Sequence, residues 1–313
     1  MLEIVSVTYL MPSTLEGPSI TLPASVPRST PAPVSSSGKS TAKKRHLPRA
    51  EKMAAQNAHY ALVLEAAQTV TRIFERRELS CAVFGSLAAK LYGSSRVPKD
   101  VDLLVSQEVS SPEERPLTAA ELKELVINSD PRHFYLKLPR DPAAEYRILW
   151  YRQEYKGPEC KVDILVPGSV NLPRLPRHRV MFLSPRAEHD DDTLNGEESR
   201  IVGGAVIPVV PFALLLAHKL QGWDDHRRAE ESHYKEKQHQ DAADVRRLLG
   251  LRREMKLVMD ARRSLCNVWN DKDLFSEDFE RLTYLRVKIY CAAFPDREAE
   301  WRSLGFETVE CVF

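Results

Sequence analysis

The chain predicts an α/β (α+β) fold: a mixed sheet with flanking helices, followed by a helical C-terminal region. Three observations predict it. Short apolar runs suited to strands recur between residues 81 and 210, amphipathic helical stretches lie before and between them, and from Pro211 onward the pattern is helical almost throughout. The expected division is a Pro/Ser-rich tail over 1–50, an α/β domain over 51–210, and a helical region over 211–313 that packs on the site described below.

In chain order, residues 1 to about 50 are rich in Pro, Ser and Thr without sustained periodicity and read as disordered. Gly38-Lys39-Ser40-Thr41 looks like the end of a phosphate-binding loop. However, Pro33 occupies the place of its first glycine and no strand precedes it, so it is set aside. Lys43-Lys44-Arg45-His46 reads as a solvated basic run. From Glu51 to about Arg77, Leu62, Ala66, Val70, Ile73 and Phe74 form one helical stripe that should face a sheet. Cys81 to Phe84 is a short strand, Leu87 to Leu91 a helical segment, and a second strand carries Asp100-Val101-Asp102. A helix is expected from Thr118, its cap, to Ile127. Three strands follow, His133–Leu138, Tyr146–Arg152 and Cys160–Val166, and after the acidic Pro185–Ser199 loop another over Ile201–Val210, with a turn at Gly203-Gly204. Later helices are expected over Phe212–Gln221, Asp241–Leu249, Glu254–Trp269, Glu277–Phe294 and Ala299–Leu304, with a polar stretch over Gly222–Gln238.

Composition narrows the class. A chain of 313 residues, 43% apolar and 28% charged, has room for a sizeable core. No run approaches the roughly 18 apolar residues of a membrane span, and the N-terminus lacks the basic start of a signal peptide. Five scattered cysteines without a Cys-x-x-Cys pair read as free thiols in a reducing, intracellular setting, cytoplasmic or nuclear. The tail has six Lys/Arg against two Glu, +4, which leaves −3 for the rest of a chain of net charge +1. Such a body is not built for strong nonspecific binding of nucleic acid, although a local basic patch is compatible with it. His226, His233 and His239 lack a zinc-site spacing, and the Arg228-x4-His233 pair, a spacing seen in some helical RNases, reads as part of a solvated helix.

The chemistry lies between Cys81 and Val105, with one later strand. Alternation along a strand places Asp100 and Asp102 on one face, about 6.5 Å apart. Two neighbouring carboxylates repel unless a cation sits between them. Gly85 and Ser86, at the start of the following helix, offer backbone N–H groups to a phosphate. In Cys160–Val166, Asp163 shares its face with Lys161 and Leu165, opposite Val162, Ile164 and Val166. A carboxylate there needs a partner, either the same cation site or a neighbouring Arg or Lys.

Gly85-Ser86, thirteen intervening residues, Asp100-x-Asp102 and a later strand aspartate resemble the DNA polymerase beta-type nucleotidyltransferase superfamily. Arg96-Val97-Pro98-Lys99-Asp100-Val101-Asp102 is similar to the corresponding stretch of the abortive-infection toxin type. Leu214 to Leu220, an arginine at Arg227 or Arg228, and Asp241-x-x-Asp244 resemble the helical signature of those proteins. Pro98 and Gln240 depart from that pattern, as does the length of the Gly222–Gln238 stretch. The resemblance covers about residues 80–250. It implies a Mg²⁺- (or Mn²⁺-) dependent transfer of NMP from an NTP to an acceptor hydroxyl or phosphate of unidentified type: RNA, protein or small molecule. It implies Asp100, Asp102 and Asp163 as catalytic metal ligands, and Gly85 and Ser86 at the β/γ-phosphates. Arg96 and Lys99 become phosphate contacts, and Lys219 a countercharge oriented by Asp241. The other reading is a nucleotidyltransferase fold retained as a binding or scaffolding module without catalysis.

Overall fold

The computed structural model describes residues 48–108, 115–139, 146–185, 206–263, 269 and 271–307. The Pro/Ser-rich tail up to residue 47, the Gly38–Thr41 run, the acidic loop around Asp190 and the Gly203-Gly204 turn lie outside the described residues.

Helix α1 (Arg49–Glu75) buries the stripe read from its periodicity, Leu62, Ala66, Val70, Ile73 and Phe74, together with Val63 and Ala67. Strand β1 (Ser80–Phe84) runs directly into α2 (Gly85–Leu91), and β2 (Asp100–Ser106) returns antiparallel to β1. Helix α3 (Ala119–Ser129) starts at the expected cap: Thr118 and Glu121 exchange side chain-to-backbone hydrogen bonds in a capping box. Strands β3 (Phe134–Lys137), β4 (Ile148–Arg152) and β5 (Glu159–Leu165) follow, then β6 (Met181–Leu183) and β7 (Ile207–Val209). The seven strands form one mixed sheet in the order β3-β4-β5-β2-β1-β7-β6. The pairs β1/β7 and β2/β5 are parallel, and the remaining pairs are antiparallel. The α/β class and the helical C-terminal region expected from the sequence are the ones observed. β6, with three residues, was too short to be read from the sequence.

The two faces of the sheet are covered differently. Val101 and Leu103 of β2, Val162 and Ile164 of β5, and Leu149 and Tyr151 of β4 are buried on the side of α1 and α3, where Tyr151 Oη donates to Glu65 Oε1 of α1 at 2.6 Å. Burying each such aliphatic side chain contributes about 1.5–3 kcal/mol. On the other face, α2 packs on β1 and β2 and against α4 (Phe212–Arg228). Beyond β2 on this face, Lys161 and Asp163 of β5, Trp150 and Arg152 of β4, and Tyr135 and Lys137 of β3 are half-exposed.

Helix α4 continues seven residues past its expected end at Gln221, and α5 (Ser232–Leu249) begins nine before its expected start at Asp241. The stretch Gly222–Gln238 is therefore mostly helical rather than a long polar insert. Its polar residues form exposed faces, and Trp223 and Asp224 turn inward. Asp224 is fully buried, with Arg227 donating to it at 2.8 Å, Arg228 also bonded to it, and Arg286 of α7 (Glu277–Ala293) 3.6 Å away. Helices α6 (Arg252–Arg263) and α8 (Glu298–Ser303) complete the region. Cys81, Cys160 and Cys291 are buried free thiols. Among the described residues no helix is long and apolar enough to cross a membrane.

His218 of α4 joins the two parts of the molecule. Its ring stacks on Phe279 of α7 at 4.8 Å and meets the edge of Phe84 of β1 at 5.4 Å. Burial, reinforced by the nearby Arg286 guanidinium, pushes its pKa down to about 3. The folded chain therefore holds this imidazole neutral while the unfolded chain protonates it near 6.5. Its contribution to stability is complete above that value and is lost as pH falls from about 6.5 toward 3. Thermal melts between pH 7.5 and 4 should show His218→Phe losing less stability on acidification than the parent, by about 3 kcal/mol at pH 4.5. Parallel acid limbs for the two proteins would contradict this.

Candidate active site

The parallel register of β2 and β5 sets Asp102 opposite Asp163 and Asp100 opposite Lys161. Register partners on parallel strands point to the same side, about 4.8 Å apart. Asp100, Asp102 and Asp163 thus share one face of the sheet. They lie at the step where the cover of α2 and α4 ends and the half-exposed β5-β4-β3 surface begins.

Gly85 closes the site from the β1 side. Its φ is +61°, a left-handed value that glycine adopts at little cost. A Cβ at this position would lie 1.9 Å from Asp102 Oδ2. The turn from β1 into α2 therefore brings bare backbone against the central carboxylate, and Ser86 is buried beside it in the first turn of the helix. Gly85→Ala should cost about 1–2 kcal/mol from backbone conformation alone, and the clash should also displace the Asp102 carboxylate. Thermal melts and nucleotide binding measured together are expected to show both losses, whereas unchanged binding would mean that the close approach has no role in the site.

Burial pushes the Asp102 carboxyl up to about 6, with the charges of Asp100 and Asp163 adding to the effect and those of Lys219 and Lys161 opposing it. Lys161 Nζ donates to Asp163 Oδ2 at 2.5 Å, which supplies the lysine partner that the sequence reading held open for this carboxylate. Among the described residues, no three His, Cys, Asp or Glu side chains are gathered tightly enough to hold a metal ion. The donor set is nonetheless the right one for a hard divalent cation: three carboxylates on adjoining strand positions, with Asp102 destabilised by its two neighbours.

The cations expected near the phosphates converge on one residue. Asp244 of α5 is 4% exposed and accepts from Lys219 Nζ at 3.4 Å, from Arg247 at 2.9 Å and from Gln240 Nε2 at 3.0 Å, and Arg96 is also bonded to it. Lys219 and Arg96 are thus brought together on Asp244, and the Lys219 charge also acts on Asp102. The expected orientation of Lys219 by Asp241 is not what forms. Asp241 accepts instead from the His226 ring, 2.5 Å from Nδ1, and Asp244, one helical turn further on, takes the lysine. The reason lies in helical phase: α5 turns Asp244 toward α4 and the site, and the continued α4 helix presents His226 to Asp241. Lys99 is exposed, and its backbone carbonyl lies 2.9 Å from His59 Nε2. Sequence reading missed the central place of Asp244, although Gln240 four residues before it and Arg247 three after it are helical neighbours able to hold a carboxylate.

No family model matches the chain, and no curated protein matches it. Solved structures similar to it include the following three. An antigenic nucleotidyltransferase-like protein from Paracoccidioides brasiliensis is 14% identical, with a TM-score of 0.46 over 78% of this chain and 92% of that one. The antibiotic-resistance factor ANT(2'')-Ia is 10% identical, with a TM-score of 0.31 over 66% and 96%. CdnC from E. coli, solved with ATP, is 10% identical, with a TM-score of 0.28 over 82% and 93%. Likenesses at this level transfer no residue role and no activity to this chain.

Proposed function

We propose that the protein is a divalent-cation-dependent nucleotidyltransferase that moves NMP from an NTP to an acceptor hydroxyl or phosphate. The observation that carries this reading is the shared face of Asp100, Asp102 and Asp163 beside the bare backbone of Gly85. The three carboxylates would hold Mg²⁺ or Mn²⁺. Such an ion supplies Lewis-acid polarisation of the α-phosphate and charge neutralisation of the triphosphate. The acceptor oxygen forms a new bond to the α-phosphorus as the bond to the β-phosphate oxygen breaks, and pyrophosphate leaves with that electron pair. Asp163, whose Oδ2 accepts from Lys161 Nζ, would take the acceptor's proton while the lysine offsets the charge left behind. Lys219 and Arg96, steadied by Asp244, supply positive charge toward the phosphates, and backbone N–H groups at Gly85 and Ser86 meet the terminal ones. Lys99 contributes charge from solvent.

The test is transfer of α-labelled nucleotide with Mg²⁺ across all four NTPs, with the Asp100→Asn/Asp102→Asn double variant as control. Labelled product from the parent and none from the variant supports the reading; equal labelling removes the carboxylates from the mechanism. Two observations favour the second reading, a binding or scaffolding module. Lys161 already neutralises Asp163, and no tight metal-holding group is present among the described residues. Calorimetry that finds neither NTP nor divalent-ion binding would make that reading the better one.

A further inference from the structure

The half-exposed sheet surface outside the carboxylates is an aromatic and cationic platform. The antiparallel registers set Trp150 of β4 opposite Lys161 and opposite Tyr135 of β3, and Arg152 opposite Glu159. Alternation then puts Tyr135, Trp150 and Arg152 on the same face as Asp163. These side chains form stacked pairs. Lys137 Nζ lies 4.3 Å from the centre of the Trp150 ring, and the Arg152 guanidinium lies 4.3 Å from the centre of Tyr135. Arg152 also lies 5.0 Å from the centre of Tyr155, which stands 77% exposed just beyond β4. Lys156 adds a further exposed charge, 5.6 Å from the same ring. Glu159 shares this face, and Lys137 and Tyr135 both bond to it.

We infer that this platform binds a single-stranded nucleic acid and leads its end to the carboxylates, which makes the acceptor a nucleic-acid strand. Flat rings and guanidinium planes offer stacking surfaces to unpaired bases, and Arg152 and Lys156 offer charge to the phosphates. The alternation of ring and cation from Tyr155 across β4 to Lys161 fits a chain with bases on one side and phosphates on the other. It runs toward the site on one continuous face. A folded protein acceptor would meet only a strip of the sheet, whereas an extended strand can follow it. That the strand is an acceptor rests on the transferase reading; that it binds does not.

The experiment is fluorescence anisotropy of the full chain with a short fluorescein-labelled RNA oligomer, the DNA oligomer of the same sequence, and its duplex. Binding of either single strand, weakened roughly tenfold by Tyr155→Ala and again by Arg152→Ala, is expected, each loss matching about one stacked base. Tyr155 is exposed, so its replacement leaves the fold intact, and thermal melts report on Arg152→Ala. Absent single-strand binding, binding unmoved by both substitutions, or duplex binding as tight as single-strand binding overturns the inference. If the strand fails to bind while labelled nucleotide still passes to another acceptor, the platform fails and the transferase reading stands. If the strand binds through Tyr155 and Arg152 but no nucleotide is transferred, the platform stands and the transferase reading fails.

Discussion

Asp102→Asn is expected to reduce nucleotide transfer by about 10²–10³-fold while leaving the fold as stable as before or more so. The two effects share one cause. Asp102 lies on β2 with Asp163 opposite it on β5 and Asp100 two residues away, and its Oδ2 presses against the Gly85 backbone. Three carboxylates in such a space repel, and neutralising the central one removes repulsion from the folded chain while keeping the side chain's shape. In the proposed mechanism a divalent cation would relieve the same repulsion. Initial rates in the transfer assay and thermal melts without added metal give both readouts. A variant that is clearly less stable than the parent would show that Asp102 serves the fold, not the chemistry.

Asp244→Ala should be strongly destabilising. It would leave Lys219, Arg96 and Arg247 facing one another with no carboxylate between them. Breaking a buried ion pair from one side costs about 3–5 kcal/mol. The lower end is expected here, because Arg96 and Arg247 are 30% and 37% exposed and water screens part of their charge. Asp241→Ala, which removes only the His226 contact, should cost about 1 kcal/mol or less. Urea unfolding of the two variants separates them. An Asp241→Ala cost equal to or above that of Asp244→Ala would contradict the arrangement described above.

The contrast between these two aspartates shows where sequence reading succeeded and where it stopped. Period-two alternation placed Asp100 and Asp102 on one face and Asp163 with Lys161, because on a strand side-chain direction follows from position alone. The α1 stripe and the Thr118 cap were legible for the same reason: each is set by residues within a turn or two. The partner of Lys219 was not legible, since it depends on where α4 ends and how α5 is rotated against it. Polarity obscured both helix ends: Gly222 to Gln238 contains charged residues that read as a loop yet form helix faces. β6 escaped because three residues are too few for a period. The aromatic platform escaped because its members come from two short strands and the turn after one of them, and only their register brings them together. The strand faces around Asp163 were readable, but the ring–cation stacks across them were not.

The central idea is that a cation shared by strand carboxylates fixes a triphosphate beside the Gly85 turn. Calorimetric titration of a non-hydrolysable NTP into the full chain, with Mg²⁺ and then with chelator, addresses it most directly. Binding that requires the ion, and that disappears in Asp102→Asn, is the predicted result. Equal binding with chelator and in the variant would contradict it.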